Sequence, residues 1–188
     1  MDLRTTTLTT PVGPFTLLVD DDGGVCAAGF TGHAGTLQRR LDPPRRAARI
    51  RSTGDPGGVA TAMRAYLAGD LEALEALTVT QPGDQPRQEA WRALRSVRAG
   101  RTISYRQLGE MAELADMATD PFGAQAAGAA CARNNVAVIV PCHRVVGSDG
   151  RLTGYGWGLP RKQWLLAHES AMPTLLDQDL VARRPARP

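Results

Sequence analysis

The chain has 188 residues, of which 43% are hydrophobic and 22% charged, so it can bury an ordinary core and global disorder is excluded. Its longest clean apolar run, residues 136–140, falls far short of the roughly 20 residues a bilayer span needs. The start, Met-Asp-Leu-Arg, carries no apolar leader. A soluble cytoplasmic protein with no membrane partner is expected. The formal net charge of +3 is uneven: residues 1–86 carry eight basic and ten acidic side chains, residues 87–188 fourteen and nine. The second half is therefore the better candidate for a polyanion partner. Three scattered cysteines, Cys26, Cys131 and Cys142, are too few for a disulfide framework. Cys26 with His33 gives two ligands where a structural zinc takes four, so no metal is expected.

In chain order, residues 5–10, 15–19 and 25–30 are β-prone and separated by Gly13-Pro14 and an acidic turn at 20–24. That turn reads as a solvated loop. The stretch 35–58 is rich in Arg, Gly and Pro and predicts a short helix followed by an exposed loop. Its arginines (Arg39, Arg40, Arg45, Arg46, Arg49, Arg51) leave two readings open, phosphate contacts or a solvated face. Val59, Met63, Tyr66 and Leu67 share one helical face that ends at Gly69. Residues 77–80 predict a last strand. The aperiodic stretch 81–86, with two prolines, marks the boundary between a domain at 1–80 and one at 87–170. A tail occupies 171–188.

Helical signals dominate the second half. Trp91, Leu94 and Val97 lie on one face. Ser104 with Gln107 three residues on makes a capping box, after which Tyr105, Leu108, Met111, Ala112 and Ala115 line one side. Asp120-Pro121 starts a further helix of almost only small residues, running to about Arg133. Small side chains permit either tight helix packing or close approach to a groove floor; two helices joined by a turn suggest a helix-turn-helix.

Residues 136–140 read as a short buried strand running into Pro141-Cys142-His143-Arg144. Proline ends a ladder and fixes the corner at which the cysteine sits. His143 and Arg144 are able to favour a thiolate. Glu169, at the end of a helix over 160–169, could orient His143 and complete a cysteine–histidine–carboxylate relay. By itself this pairing also fits a cysteine buried in the core.

Ile139-Val-Pro-Cys-His-Arg-Val-Val146 resembles the active-site signature of the O6-alkylguanine-DNA alkyltransferases. The likeness extends to Thr102-Ile-Ser-Tyr105, Asn134, Gly150-Arg-Leu-Thr-Gly-Tyr155 and Arg161-Lys-Gln-Trp-Leu-Leu-Ala-His-Glu169. It covers residues 88–170 well and residues 1–80 more weakly. Cys131 and Trp157 bring it nearest to the alkyltransferase domains of bacterial adaptive-response proteins. The resemblance implies an α+β chain: an N-terminal ribonuclease-H-like small sheet with helices, and a C-terminal helical domain with a winged helix-turn-helix.

It also implies a single-turnover repair enzyme without cofactor. Its partner would be double-stranded DNA carrying O6-alkylguanine (or O4-alkylthymine), met through the minor groove by a monomer, with the damaged base flipped out. Cys142 would take the alkyl group. His143, through a water, would take the thiol proton, and Glu169 would hold the histidine. Asn134 would anchor the corner. Tyr105 would press on the neighbouring phosphate and protonate the leaving base. Tyr155 would donate at guanine O6. Arg144, Val145, Ser148, Gly156 and Trp157 would complete the pocket and DNA contacts, and Ala126 and Gly128 would let the recognition helix lie close to the groove.

Three departures matter. Gln125 stands where the family places an arginine finger, and lacks its charge and planar fork. The spacing from Tyr105 to position 125 is longer than usual, with extra residues in 110–119 that lengthen either the first helix or the turn. Trp157 replaces a loop glycine and would narrow the pocket mouth, favouring methyl over benzyl adducts. Two alternatives stand beside repair: transfer from a single-stranded or small alkylated substrate, and a damage sensor without transfer.

Overall fold

A computed structural model describes residues 1–114 and 121–169. The N-terminal sheet is built from β1 (Asp2–Thr10), β2 (Gly13–Val19), β3 (Val25–Gly29) and β4 (Arg49–Ser52). Its order is β3-β2-β1-β4; the first three are antiparallel, and β4 runs parallel to β1. Gly13, at φ 112, supplies the left-handed backbone that tightens the first hairpin. β4 falls where an exposed loop was expected. It is an edge strand whose Arg49 and Arg51 face solvent, so it lacks the apolar alternation that marks a strand. Before it lie two short helices, α1 (Ala34–Gln38) and α2 (Pro43–Arg46). The strand expected at 77–80 reduces to one parallel bridge, Val79 to Val25.

Helix α3 (Val59–Leu67) turns Val59, Ala60, Met63 and Tyr66 inward. Helix α4 (Gln85–Ser96) is capped by the Asp84 side chain on the Arg87 N–H. It begins inside the stretch read as a connector, and Gln81 in that stretch is buried. One apolar core joins the halves, running from Phe15 and Tyr66 through Trp91 and Leu94 to Val140 and Leu165.

Helix α5 (Tyr105–Met111) starts with the expected capping box, Ser104 Oγ accepting from Gln107 N at 3.1 Å and Gln107 Oε1 from Ser104 N at 2.8 Å. It stops at Met111, and Glu113 has φ 51, so the helix does not continue through the described part of that segment. Asp120 and residues 115–119 of that insertion, Ala115 among them, lie outside the described residues, as does the tail 171–188. Helix α6 (Pro121–Ala132) crosses α5 closely: a Cβ on Gly109 would come within 2.8 Å of the Gly123 backbone. The Trp91 indole N–H donates to Ala130 O at 3.0 Å and ties α6 to α4. A two-stranded parallel ladder, β5 (Ile103–Ser104) with β6 (Val145–Val146), and α7 (Leu159–His168) are the last elements among the described residues. Among the described residues no helix is long and apolar enough to cross a membrane.

Candidate active site

The segment 136–140 is not a strand. Val136 makes one bridge to Ala28, and the chain then coils through a turn with Val138 at φ 71, in the left-handed region that β-branched residues avoid. Asn134 explains why. Its Nδ2 donates to Val140 O at 2.8 Å and its Oδ1 accepts from Val136 N at 3.0 Å, so a side chain takes the place of a neighbouring strand. Val140 N closes the turn on Val136 O at 2.9 Å. Complete burial made the apolar run look like a strand, but a buried turn has the same composition. The same Nδ2 reaches Cys142 Sγ at 3.2 Å, which fixes the sulfur relative to the corner. Gln81 supports the asparagine, donating to its Oδ1 at 3.3 Å while accepting from Asn135 N at 2.9 Å.

Cys142 opens a single 3-10 turn, Cys142–Arg144, immediately after Pro141. His143 is fully buried, and its Nε2 meets Glu169 Oε1 at 2.9 Å. An ionised carboxylate only accepts, so Nε2 carries the proton and Nδ1 is left as the basic nitrogen. Among the described residues no protein group partners Nδ1. Burial pulls the imidazole below its ordinary pKa, with Arg144 and Lys162 adding to this against the pull of Glu169. The ring is therefore a neutral base at neutral pH. Burial alone would raise the Glu169 carboxyl, but His143 and Arg144 together hold it well below the usual carboxylate range.

The Arg144 side chain is turned inward. It is buried, and it forks Glu169 with Nε to Oε2 at 2.9 Å and Nη2 to Oε1 at 2.8 Å, while Nη1 donates to Val97 O. The cause is electrostatic: a buried carboxylate needs a counter-charge, and a planar guanidinium supplies one bidentately. The thiol is affected in turn. Burial pushes Cys142 above its ordinary pKa, opposed by the Asn134 hydrogen bond and the charges of Lys162 and Arg40. The thiolate that His143 and Arg144 were judged able to favour is not favoured at rest, because the Arg144 guanidinium is paired with Glu169 and His143 is neutral.

Lys162, the only lysine in the chain, is fully buried. Its Nζ donates to Val145 O at 2.5 Å, Thr153 O at 2.6 Å and Gly154 O at 3.4 Å, pinning the loop after the cysteine to α7. Burial lowers its pKa to about 8, so it keeps its proton at neutral pH. In the sequence this single lysine reads as a mark of genome composition and not of function; its structural role comes from burial against three carbonyls.

Tyr105 sits at the first position of α5, and its hydroxyl would lie 3.4 Å from a Cβ on Gly154. Burial raises its pKa, offset in part by a hydrogen bond with Thr153. The Tyr155 hydroxyl is buried with no hydrogen-bond partner among the described residues, and its ring stands edge-on to His143 at 6.4 Å. An unpartnered buried hydroxyl beside the base is a ready donor for a ligand. The Trp157 indole lies against Gly29, where a Cβ would come within 2.0 Å of it, and the Arg40 guanidinium stands over its ring at 5.6 Å. Gly156 and Ser148 are exposed, and Val145 is buried with its carbonyl already taken by Lys162. On α6, Gln125 is exposed, Ala126 and Gly128 are half-buried, and Ala127 and Ala130 face the core. Of the other arginines weighed for phosphate, Arg45 pairs with Asp20 and Asp42, and Arg51 with Asp2. Among the described residues, no three His, Cys, Asp or Glu side chains converge as a metal site.

One contact was missed altogether. Tyr66 OH, on α3, donates to Glu169 Oε1 at 2.8 Å. Helical spacing showed Tyr66 as core, and the need of a buried hydroxyl for a partner was the signal that something polar stood opposite.

Residues 85–171 match the family model of the 6-O-methylguanine DNA methyltransferase DNA-binding domain. The chain is 34% identical to a methylated-DNA–protein-cysteine methyltransferase of Shigella flexneri over 165 residues, covering 86% of this chain and 92% of the relative. A relative of the same name from Mycobacterium tuberculosis is 36% identical over 170 residues, covering 88% and 91%. The crystal structure of Mycobacterium tuberculosis O6-methylguanine methyltransferase superimposes with a TM-score of 0.68 at 28% identity, covering 99% of this chain and 96% of that one. The same organism's OGT in complex with DNA gives 0.68 at 31% identity, covering 92% and 97%. With its cysteine corner, buried relay and helix pair in this arrangement, the chain belongs to the methylated-DNA–protein-cysteine methyltransferase family.

Proposed function

We propose that this protein repairs alkylated DNA by direct reversal, moving a methyl group from O6-methylguanine onto Cys142 in one turnover. The observation that carries this reading is the geometry of Cys142-His143-Glu169: a thiol at a fixed corner, a neutral imidazole with one nitrogen unpartnered, and a carboxylate that sets its tautomer. Sγ attacks the methyl carbon in line. The S–C bond forms as the C–O6 bond breaks. The thiol proton passes to His143 through a water, and the leaving guanine takes a proton from Tyr105. Because the thiol is protonated at rest, deprotonation is coupled to substrate arrival, which protects the sulfur from unproductive oxidation.

Tyr155 donates to guanine O6. Gln125 and the small residues Ala126 and Gly128 present α6 to the minor groove, and Ser148, Gly156 and Trp157 border the flipped base. Residues 1–80 act as a supporting domain, 81–86 as a connector and 87–170 as the transfer domain. The protein works as a monomer in the bacterial cytoplasm, where the DNA is. Trp157 restricts the mouth, so methyl adducts react faster than benzyl.

The test is intact mass after incubation with duplex DNA carrying one O6-methylguanine, with Cys142→Ala as control. A gain of one methylene on the wild type alone supports the reading. No gain on duplex, but a gain with single-stranded DNA or the free nucleoside, would replace it with transfer from a non-duplex substrate.

A further inference from the structure

We propose that Tyr66 is a positioning residue for the transfer reaction: by donating to Glu169 Oε1 it fixes the carboxylate against His143 and limits how strongly that carboxylate draws on the imidazole. This rests on the reading of His143 as the base.

Four donor contacts converge on the Glu169 carboxylate. Oε1 accepts from Tyr66 OH at 2.8 Å, His143 Nε2 at 2.9 Å and Arg144 Nη2 at 2.8 Å; Oε2 accepts from Arg144 Nε at 2.9 Å. Tyr66 and His143 therefore compete for the electron density of one oxygen. The phenol stays a donor throughout, because burial and the Glu169 charge both hold its pKa far above the ordinary value. α3 grips the end of α7 a second way: His168 Nε2 donates to Tyr66 O at 2.8 Å, the Tyr66 ring stands edge-on to His168 at 5.1 Å, and His168 stacks on Trp164 at 5.0 Å. One residue of the N-terminal half thus holds residues 168 and 169 together. The carboxylate end of the relay is set by a helix that lies outside the DNA-binding region matched by the family model.

The sign of the effect follows from the charges around the imidazole. His143 faces Glu169 from the end of α7, Lys162 from within α7, Arg144 and Cys142 from its own turn, and the Tyr155 ring. Glu169 is the one group among these that favours the protonated ring. Removing the phenolic donor leaves its Oε1 richer in charge, so His143 becomes more basic.

The experiment compares full-length wild type with Tyr66→Phe, which keeps the ring against His168 and removes only the hydroxyl. Two quantities are read: the single-turnover methyl-transfer rate across pH, and the titration of the His143 imidazole nitrogens by NMR. The acid limb of the rate profile and the His143 titration are both expected to move to higher pH, by about half a unit or more, with the rate on the plateau changed less than about threefold. Site-specific fluorotyrosine at position 66, a stronger donor, is expected to move both the opposite way and supports the same conclusion if the phenylalanine variant does not fold. A uniform slowing at every pH with an unmoved His143 titration would make Tyr66 mere packing and overturn the proposal. If the wild type transfers no methyl group, the reading of function fails, while the NMR titration still decides whether Tyr66 tunes His143.

Discussion

Around Glu169, donors from α3 and the 3-10 turn meet on two oxygens, and each is buried; along the outer face of α6, alanines and glycines surround the exposed Gln125. The first region is charged and buried, with both carboxylate oxygens engaged before any substrate arrives. The second is smooth and carries no charge. A buried polar cluster has a large effect when one member is removed, because the remaining groups lose partners that water cannot replace. An exposed, featureless face has little to lose and gains by addition. On the function proposed above, chemistry is preorganised inside, and DNA engagement would be left to shape and to a weak polar probe.

The sharpest way to break this contrast is Arg144→Met. It leaves the Glu169 carboxylate buried without its counter-charge, with an expected loss of about 3–5 kcal/mol and a fall in Tm on the order of 10 °C. Calorimetry checks it; a loss as small as that of a surface pair would show the cluster is not sealed. The pH dependence has a definite sign. The folded Glu169 carboxyl titrates below its unfolded value, so its contribution is complete above the ordinary carboxylate pKa and fades as pH falls below it. Arg144→Met should flatten that acid-side slope.

Next in size is Asn134→Ala. It strips partners from Val136 N–H and Val140 C=O and removes the donor on Sγ. About 2–3 kcal/mol of stability and at least tenfold in transfer rate are expected to go, read by denaturant melts and single-turnover kinetics. Trp157→Ala should raise the benzyl-to-methyl rate ratio by about tenfold; an unchanged ratio would show that the indole, lying on Gly29, does not border the pocket. The smallest effect is expected on the smooth face. Gln125→Arg should tighten binding to undamaged duplex only a few-fold at moderate salt, and steepen the salt dependence by about one unit of log–log slope.

Much of both regions was legible in the chain. The capping box at Ser104 and Gln107, the helix ending before Gly69 and the strands flanking Gly13-Pro14 all formed, because each rests on local hydrogen bonding or backbone freedom. Cys142, His143 and Glu169 were found from residue type, and the fold brings the last two together across 26 residues. What could not be read depends on three-dimensional partners. Apolar composition cannot tell a buried turn from a strand, so the coil at 136–140 was hidden, although the family resemblance already gave Asn134 as the anchor of the corner. The direction of Arg144 is decided by a carboxylate 25 residues away. β4 is an exposed edge with an arginine-rich sequence, and pairing rather than pattern makes it a strand. Tyr66 meets Glu169 across 103 residues, a contact no local rule reaches.

The three cysteines offer the most direct test. Cys26 is buried, donates from Sγ to Leu18 O and has its pKa raised to about 12; Cys131 is also held high by burial; among the described residues, Cys142 is the one with a side-chain donor on sulfur and the relay beside it. Peptide mapping by mass spectrometry, after reaction with excess duplex carrying O6-methylguanine, should place one methyl group per molecule on Cys142 and none on Cys26 or Cys131. Methylation spread over the cysteines, or confined to one of the other two, would contradict the assignment of the corner and relay as the site of transfer.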